Sequence, residues 1–206
     1  MLNSLVEPVL TPDRLLAAHT YASYRQLIDT LLLEGKTTGL QQSDMLTNYT
    51  RLNVQRMQRL DKTVRVLPEL QIAAASLSQN YTWLIITEGW CGDAAQLVPV
   101  LEAVAKSSGG KITTHYVLRD EHPDLIDKYL TNGSRSIPKL VVLHPDSLTE
   151  VTHWGPRPLA AQELLLALKA QGATHDEYVE KIHAWYAQDK THATQQELLT
   201  LVQALA

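Results

Sequence analysis

Seven consecutive residues, Tyr81 to Thr87 (YTWLIIT), are aromatic, β-branched or leucine, and they run directly into Glu88-Gly89-Trp90-Cys91-Gly92-Asp93 and then Ala94 to Lys106, a segment with helical spacing and few breakers. Such a run reads as a buried strand, and the segment after it as a helix. A strand delivered through a short turn into a helix commits the chain to an α/β architecture. It also puts Cys91, the one cysteine of the sequence, at the strand-to-helix turn. Unpaired amide N–H groups and the helix dipole favour a thiolate there.

The flanking segments extend this unit. Pro68 opens a short helix, Glu69 to Leu77, apolar at Leu70, Ile72, Ala73 and Leu77. Ser107 to Gly110 form a loop, and Lys111 to Leu118 alternates as a strand, parallel to Tyr81–Thr87 because a helix crosses between them. Asp124 to Thr131 reads as a helix stopped by Asn132-Gly133. Lys139 to Leu143 and Thr149 to His153 form a hairpin, Trp154-Gly155-Pro156 breaks the chain, and Ala160 to Lys169 is a closing helix.

Ahead of this core, Thr11 caps a helix with Pro12 in its first turn and Gly35 as its stop, with Ala17, Tyr21, Tyr24, Ile28 and Leu31 on one packed face. Ser43 caps a second helix, to about Thr63. It carries Arg51, Arg56, Arg59 and Lys62, with Arg65 just beyond, against Asp61. A solvated face is the favoured reading of these cations, and a site for the carboxylates of a small thiol the other. Beyond Gly172, Thr174 with Glu177 and Thr194 with Glu197 read as capping boxes of two more helices, neither carrying visible chemistry.

Two separated motifs resemble the thioredoxin superfamily. Trp90, Cys91, Gly92 and Pro99 match its active-site turn and helix-kinking proline, and Ser136-Ile137-Pro138-Lys139-Leu140 resembles its Ile-Pro segment. The resemblance covers Leu67 to Ala170. It implies a thioredoxin-like α/β fold with a mixed sheet of about four strands flanked by helices, and a cis proline at Pro138 facing Cys91. Residues 1–66 and 171–206 are then helical extensions of a core at 67–170, and the two-helix arm resembles one found ahead of the thioredoxin-like domain in a group of bacterial proteins. Two departures go together. Ala94 stands where the family has its resolving cysteine, and Ile85 where it keeps the buried aspartate that serves that cysteine.

These residues leave two functional readings open. In the first, Cys91 is a monothiol nucleophile that exchanges with protein mixed disulfides or a small thiol such as glutathione, since without a second cysteine a thiol from solution must resolve the adduct. In the second, the site is redox-inactive, and the backbone beside Ile137 pairs with an extended peptide. Trp90, Gly92, Asp93, Ile137 and Pro138 are the candidate substrate contacts in either reading. Asp93 opposes a thiolate, so Cys91 is expected to titrate not far below the free value of about 8.5.

Other classes fit poorly. The net charge of −4 offers no field for nucleic acid, and the eight histidines form no His-x-x-x-His or close Cys-His pair for a metal. His175 and His183 are expected to be solvated. No apolar run approaches a membrane span, and Met1 to Leu10 lacks the marks of a signal peptide. With its single cysteine, the chain is expected in the cytoplasm.

Overall fold

The computed structural model describes residues 8–206. Of the start of the chain, read above as lacking a signal segment, residues 1–7 lie outside them. Strands β1 (Tyr81–Thr87), β2 (Ile112–Leu118), β3 (Lys139–Leu143) and β4 (Glu150–Trp154) form one mixed sheet of order β2-β1-β3-β4. β1 runs parallel to β2, with Tyr81 opposite Ile112, and antiparallel to β3, with Ile85 opposite Leu140. β3 and β4 pair antiparallel, with a bulge at Val142 and Leu143. Being central and covered on both faces, β1 is buried at every residue, which is why its sequence is apolar without alternation.

The helices are α1 (Pro12–Ala17), α2 (Tyr21–Leu33), α3 (Asp44–Thr63), α4 (Pro68–Ala75), α5 (Gly92–Ser107), α6 (Pro123–Ile126), α7 (Leu159–Ala170), α8 (His175–Asp189) and α9 (His192–Gln203). None among the described residues is long and apolar enough to cross a membrane. The terminal arms share the central core. Tyr24, Ile28 and Met57 at one end and Leu198 and Val202 at the other belong to the same buried cluster as Trp83, Leu84 and Ile86. Tyr24 stacks on Tyr116 of β2 at 5.6 Å between ring centroids and hydrogen-bonds Thr87 at the end of β1. α3 packs along α5 and α8 along α7, so both arms reach the end of the sheet where Cys91 lies.

Three local expectations are corrected. The helix placed between Thr11 and Gly35 is two, because Ala18 is extended and His19 exchanges backbone hydrogen bonds of 2.8 Å with Tyr116, after which Thr20 caps anew. The helix placed at Asp124–Thr131 is α6 followed by a 3-10 turn, Asp127–Tyr129, ended by extended Leu130. Thr194 caps nothing: α9 begins at His192, the Asp189 carboxylate takes the Ala193 N–H, and Glu197 is drawn off to Trp154 Nε1 at 2.7 Å. Ile72, one of the apolar residues of α4, is exposed.

Candidate functional site

Cys91 is the N-cap of α5. Its extended backbone lets Sγ face back along the helix, where it accepts the Ala94 N–H at 3.5 Å while the thiol donates to the Ile137 carbonyl at 3.4 Å. The Ile137–Pro138 peptide is cis. Cys91 is 8% exposed. Burial, and after it the Asp93 charge, push the thiol up to about 12, and the Ala94 N–H does not reverse that. The expected value, not far below the free one, is therefore corrected. The helix terminus favours a thiolate, but desolvation outweighs it.

Asp93 is turned away from solvent. Its carboxylate accepts from Arg157 Nε at 2.9 Å and from Nη2, and the Tyr186 hydroxyl donates to it at 2.8 Å. The Arg157 charge beside the cysteine is thus balanced by Asp93 instead of being free to hold a thiolate. Trp90 lies under the Arg119 guanidinium, 4.6 Å from its ring centroid. Glu88 is fully buried, accepting from the Thr38 hydroxyl and from the Asp120 N–H at 2.9 Å. Burial raises its carboxyl to about 7.

In front of Cys91 opens a cleft of about 560 Å³. Met45, Leu46, Tyr49 and Arg56 of α3 form one wall, Tyr178, Val179, Ile182 and His183 of α8 another, and Ser134 to Ile137 a third, with Trp90, Cys91, Gly92 and Asp93 at its base. Five of the six expected site residues therefore meet there. Pro138 is not among the lining residues: it is buried, with its carbonyl against Gly155. Among the described residues, no group of three or more His, Cys, Asp or Glu is placed to hold a metal ion.

A family model described as thioredoxin matches residues 39–174. The chain belongs to the thioredoxin superfamily. The thioredoxin of Rhodospirillum rubrum is 36% identical over 69 residues, 34% of this chain and 62% of that protein. Thioredoxin 1 of a Nostoc species and the chloroplast M-type thioredoxin of Zea mays are each 38% identical over 53 residues, 26% of this chain, spanning 47% and 30% of their own lengths. The match thus covers less than two thirds of any of these relatives. A protein of unknown function from Pseudomonas aeruginosa shares the fold over 96% of this chain and 99% of its own, with TM-score 0.60 and 16% identity. An HIV epitope scaffold does so over 91% and 100%, with TM-score 0.54 and 16% identity.

Several residues of this thioredoxin-like site come from segments outside its two motifs, and for the cations of α3 the favoured reading is a solvated face. Arg51, Arg59, Lys62 and Arg65 are exposed, as expected of a solvated face, but Arg56 turns into the cleft. His183 is not solvated: burial, and then Arg56, lower its imidazole to about 4. Its Nδ1 meets the Gln96 amide at 3.4 Å, and a methyl group at Gly92 would lie 2.7 Å from its Nε2. With Tyr186, it gives α8 a part in the site, correcting the reading of that helix as inert.

Proposed function

We propose that this thioredoxin-like protein is a binding module that takes its ligand in the cleft at Cys91 without covalent chemistry. The observation that carries the reading is the state of the Cys91 thiol. It is buried, with Sγ 3.4 Å from the Ile137 carbonyl oxygen, and burial pushes its pKa up to about 12. A disulfide is attacked by a thiolate, and a thiol that ionises near pH 12 supplies almost none at neutral pH. The cleft has the size and apolar lining of a ligand site. Its contacts to ligand would be Trp90, Gly92 and Ile137, with Asp93 and Arg157 bracing the turn.

The test is exposure of the native protein to glutathione disulfide at pH 7.5, followed by intact-mass measurement. The unfolded chain should become glutathionylated and the native chain should not. Equally fast glutathionylation of the native chain would favour monothiol exchange, for which the Ala94 N–H on Sγ and the place of Cys91 at the base of the cleft speak.

A further inference from the structure

The cleft at Cys91 is more basic than the chain around it. Arg56, Arg119, Arg135 and Arg157 line it, and Asp93 is the one carboxylate among its described lining residues, in a protein of net charge −4. Three of these arginines have acidic partners: Arg119 with Asp120 at 2.7 Å, Arg135 with Asp127 at 2.7 Å, and Arg157 with Asp93. Arg56 has none among the described residues.

Its Nη1 donates to the Asn53 side-chain oxygen at 2.8 Å, and Asn53, fully buried, donates in turn to the Gly89 carbonyl at 3.0 Å. The guanidinium is therefore held against the Cys91 turn. Burial, and then the neighbouring charge of Arg59, lower its pKa; the Asp93 charge acts the other way without reversing this, and Asp93 is already paired with Arg157. Holding such a cation away from water is costly unless an anion joins it.

A second donor converges on the same place. His183 Nε2 and Arg56 Nη1 both flank Gly92 at the base of the cleft: a methyl group built there would lie 2.7 Å from the first and 3.8 Å from the second. In the tautomer in which Nδ1 accepts from the Gln96 amide, the imidazole proton lies on Nε2, beside Gly92 at the base of the cleft. The ring is neutral at neutral pH, so it adds a donor and no charge. One unbalanced positive charge with an extra N–H complements a monoanion, and the planar guanidinium suits a carboxylate. The walls beyond, Leu46, Tyr178 and Ile182, are apolar or aromatic.

Building on the binding reading, we infer that the cleft takes an organic monocarboxylate with an apolar body, its oxygens accepting from Arg56 and His183 Nε2–H and its body lying on Leu46, Tyr178 and Ile182. A free acid and the C-terminus of an apolar peptide share this chemistry.

Calorimetric titration of the full chain with two matched pairs, octanoate against octanamide and N-acetyl-trileucine against its C-terminal amide, tests this. At least one acid should bind about tenfold or more tighter than its amide, a margin set by a charge-assisted hydrogen bond, and should weaken with added salt. Which acid binds identifies the source of the carboxylate. Arg56→Gln should abolish the preference, and Arg51→Gln, on the exposed face of α3, should keep it. Equal binding of acid and amide would overturn the charge assignment and leave the binding reading standing. Binding of no probe would overturn both. The wild-type pairs decide the matter even if Arg56→Gln fails to fold, and a preference that survives in a folded Arg56→Gln protein would overturn the role of Arg56.

Discussion

The Cys91 thiol donates to the carbonyl oxygen of Ile137, 46 residues further along the chain, at 3.4 Å. That contact joins the two motifs of the superfamily, the turn before α5 and the cis peptide before β3, through the atom that would otherwise be the nucleophile. It is a hydrogen bond only while the sulfur keeps its proton. Ionisation would set a negative sulfur against a carbonyl dipole in a desolvated place, beside the Asp93 carboxylate.

Asp93 is therefore expected to hold down the reactivity of Cys91. Asp93→Asn removes the nearest negative charge and leaves Arg157 uncompensated, so the thiol pKa should fall and alkylation at pH 8.5 should quicken several-fold. The same change breaks a largely buried ion pair, and urea unfolding should show a loss of about 3 kcal/mol. Unchanged alkylation in a folded variant would show that burial alone controls the thiol.

Glu88 predicts a pH dependence of stability. Its carboxyl, normally near 4.5, is raised by burial to about 7 in the folded chain. Between those values the folded state keeps a proton that the unfolded state has released, so the contribution of Glu88 is full below pH 4.5 and is lost as pH rises through 7. The stability of wild type relative to Glu88→Gln should fall by up to about 3 kcal/mol between pH 4.5 and pH 8, measured by urea unfolding. A flat difference would mean that the carboxyl titrates normally.

Two glycines near the site should respond differently to alanine. Gly155 has φ +109°, and a methyl group there would lie 2.5 Å from the Pro138 carbonyl oxygen, a backbone atom that cannot swing aside. Gly155→Ala should cost 2 kcal/mol or more, on the order expected for backbone strain with a steric clash. At Gly92, the obstacle is the end of the His183 side chain, 2.7 Å away. Gly92→Ala should cost about 1 kcal/mol or less, by rotation of that side chain, while weakening ligand binding in the cleft. Equal losses in melting temperature would contradict the distinction.

The parts of the fold that were legible in the sequence are those fixed by local chemistry. The strand Tyr81–Thr87 is buried on both faces and needs no alternation to be recognised, and Ser43 and Thr174 cap their helices as their spacing implies. The structure departs from local expectation where a distant residue claims a local group. His19 breaks its helix to bridge Tyr116, and Glu197 leaves its capping box for Trp154. The site was legible in the same measure. Cys91 and Ile137 carry motifs, whereas Arg56, Arg157, His183 and Tyr186 belong to segments that meet only when the arms close over the sheet end. The ionisation of Cys91 departs from expectation because helix position is visible in a sequence and burial is not.

The central claim, that Cys91 is kept as a thiol, is tested most directly by its rate of alkylation with iodoacetamide from pH 6 to 10, in the native protein and in denaturant. As the one cysteine of the chain, it gives an unambiguous signal. The account predicts a native rate far below that of the unfolded chain throughout, with no inflection in that range. An inflection below about 8.5, the value of a free thiol, with native rates matching or exceeding those in denaturant, would contradict it.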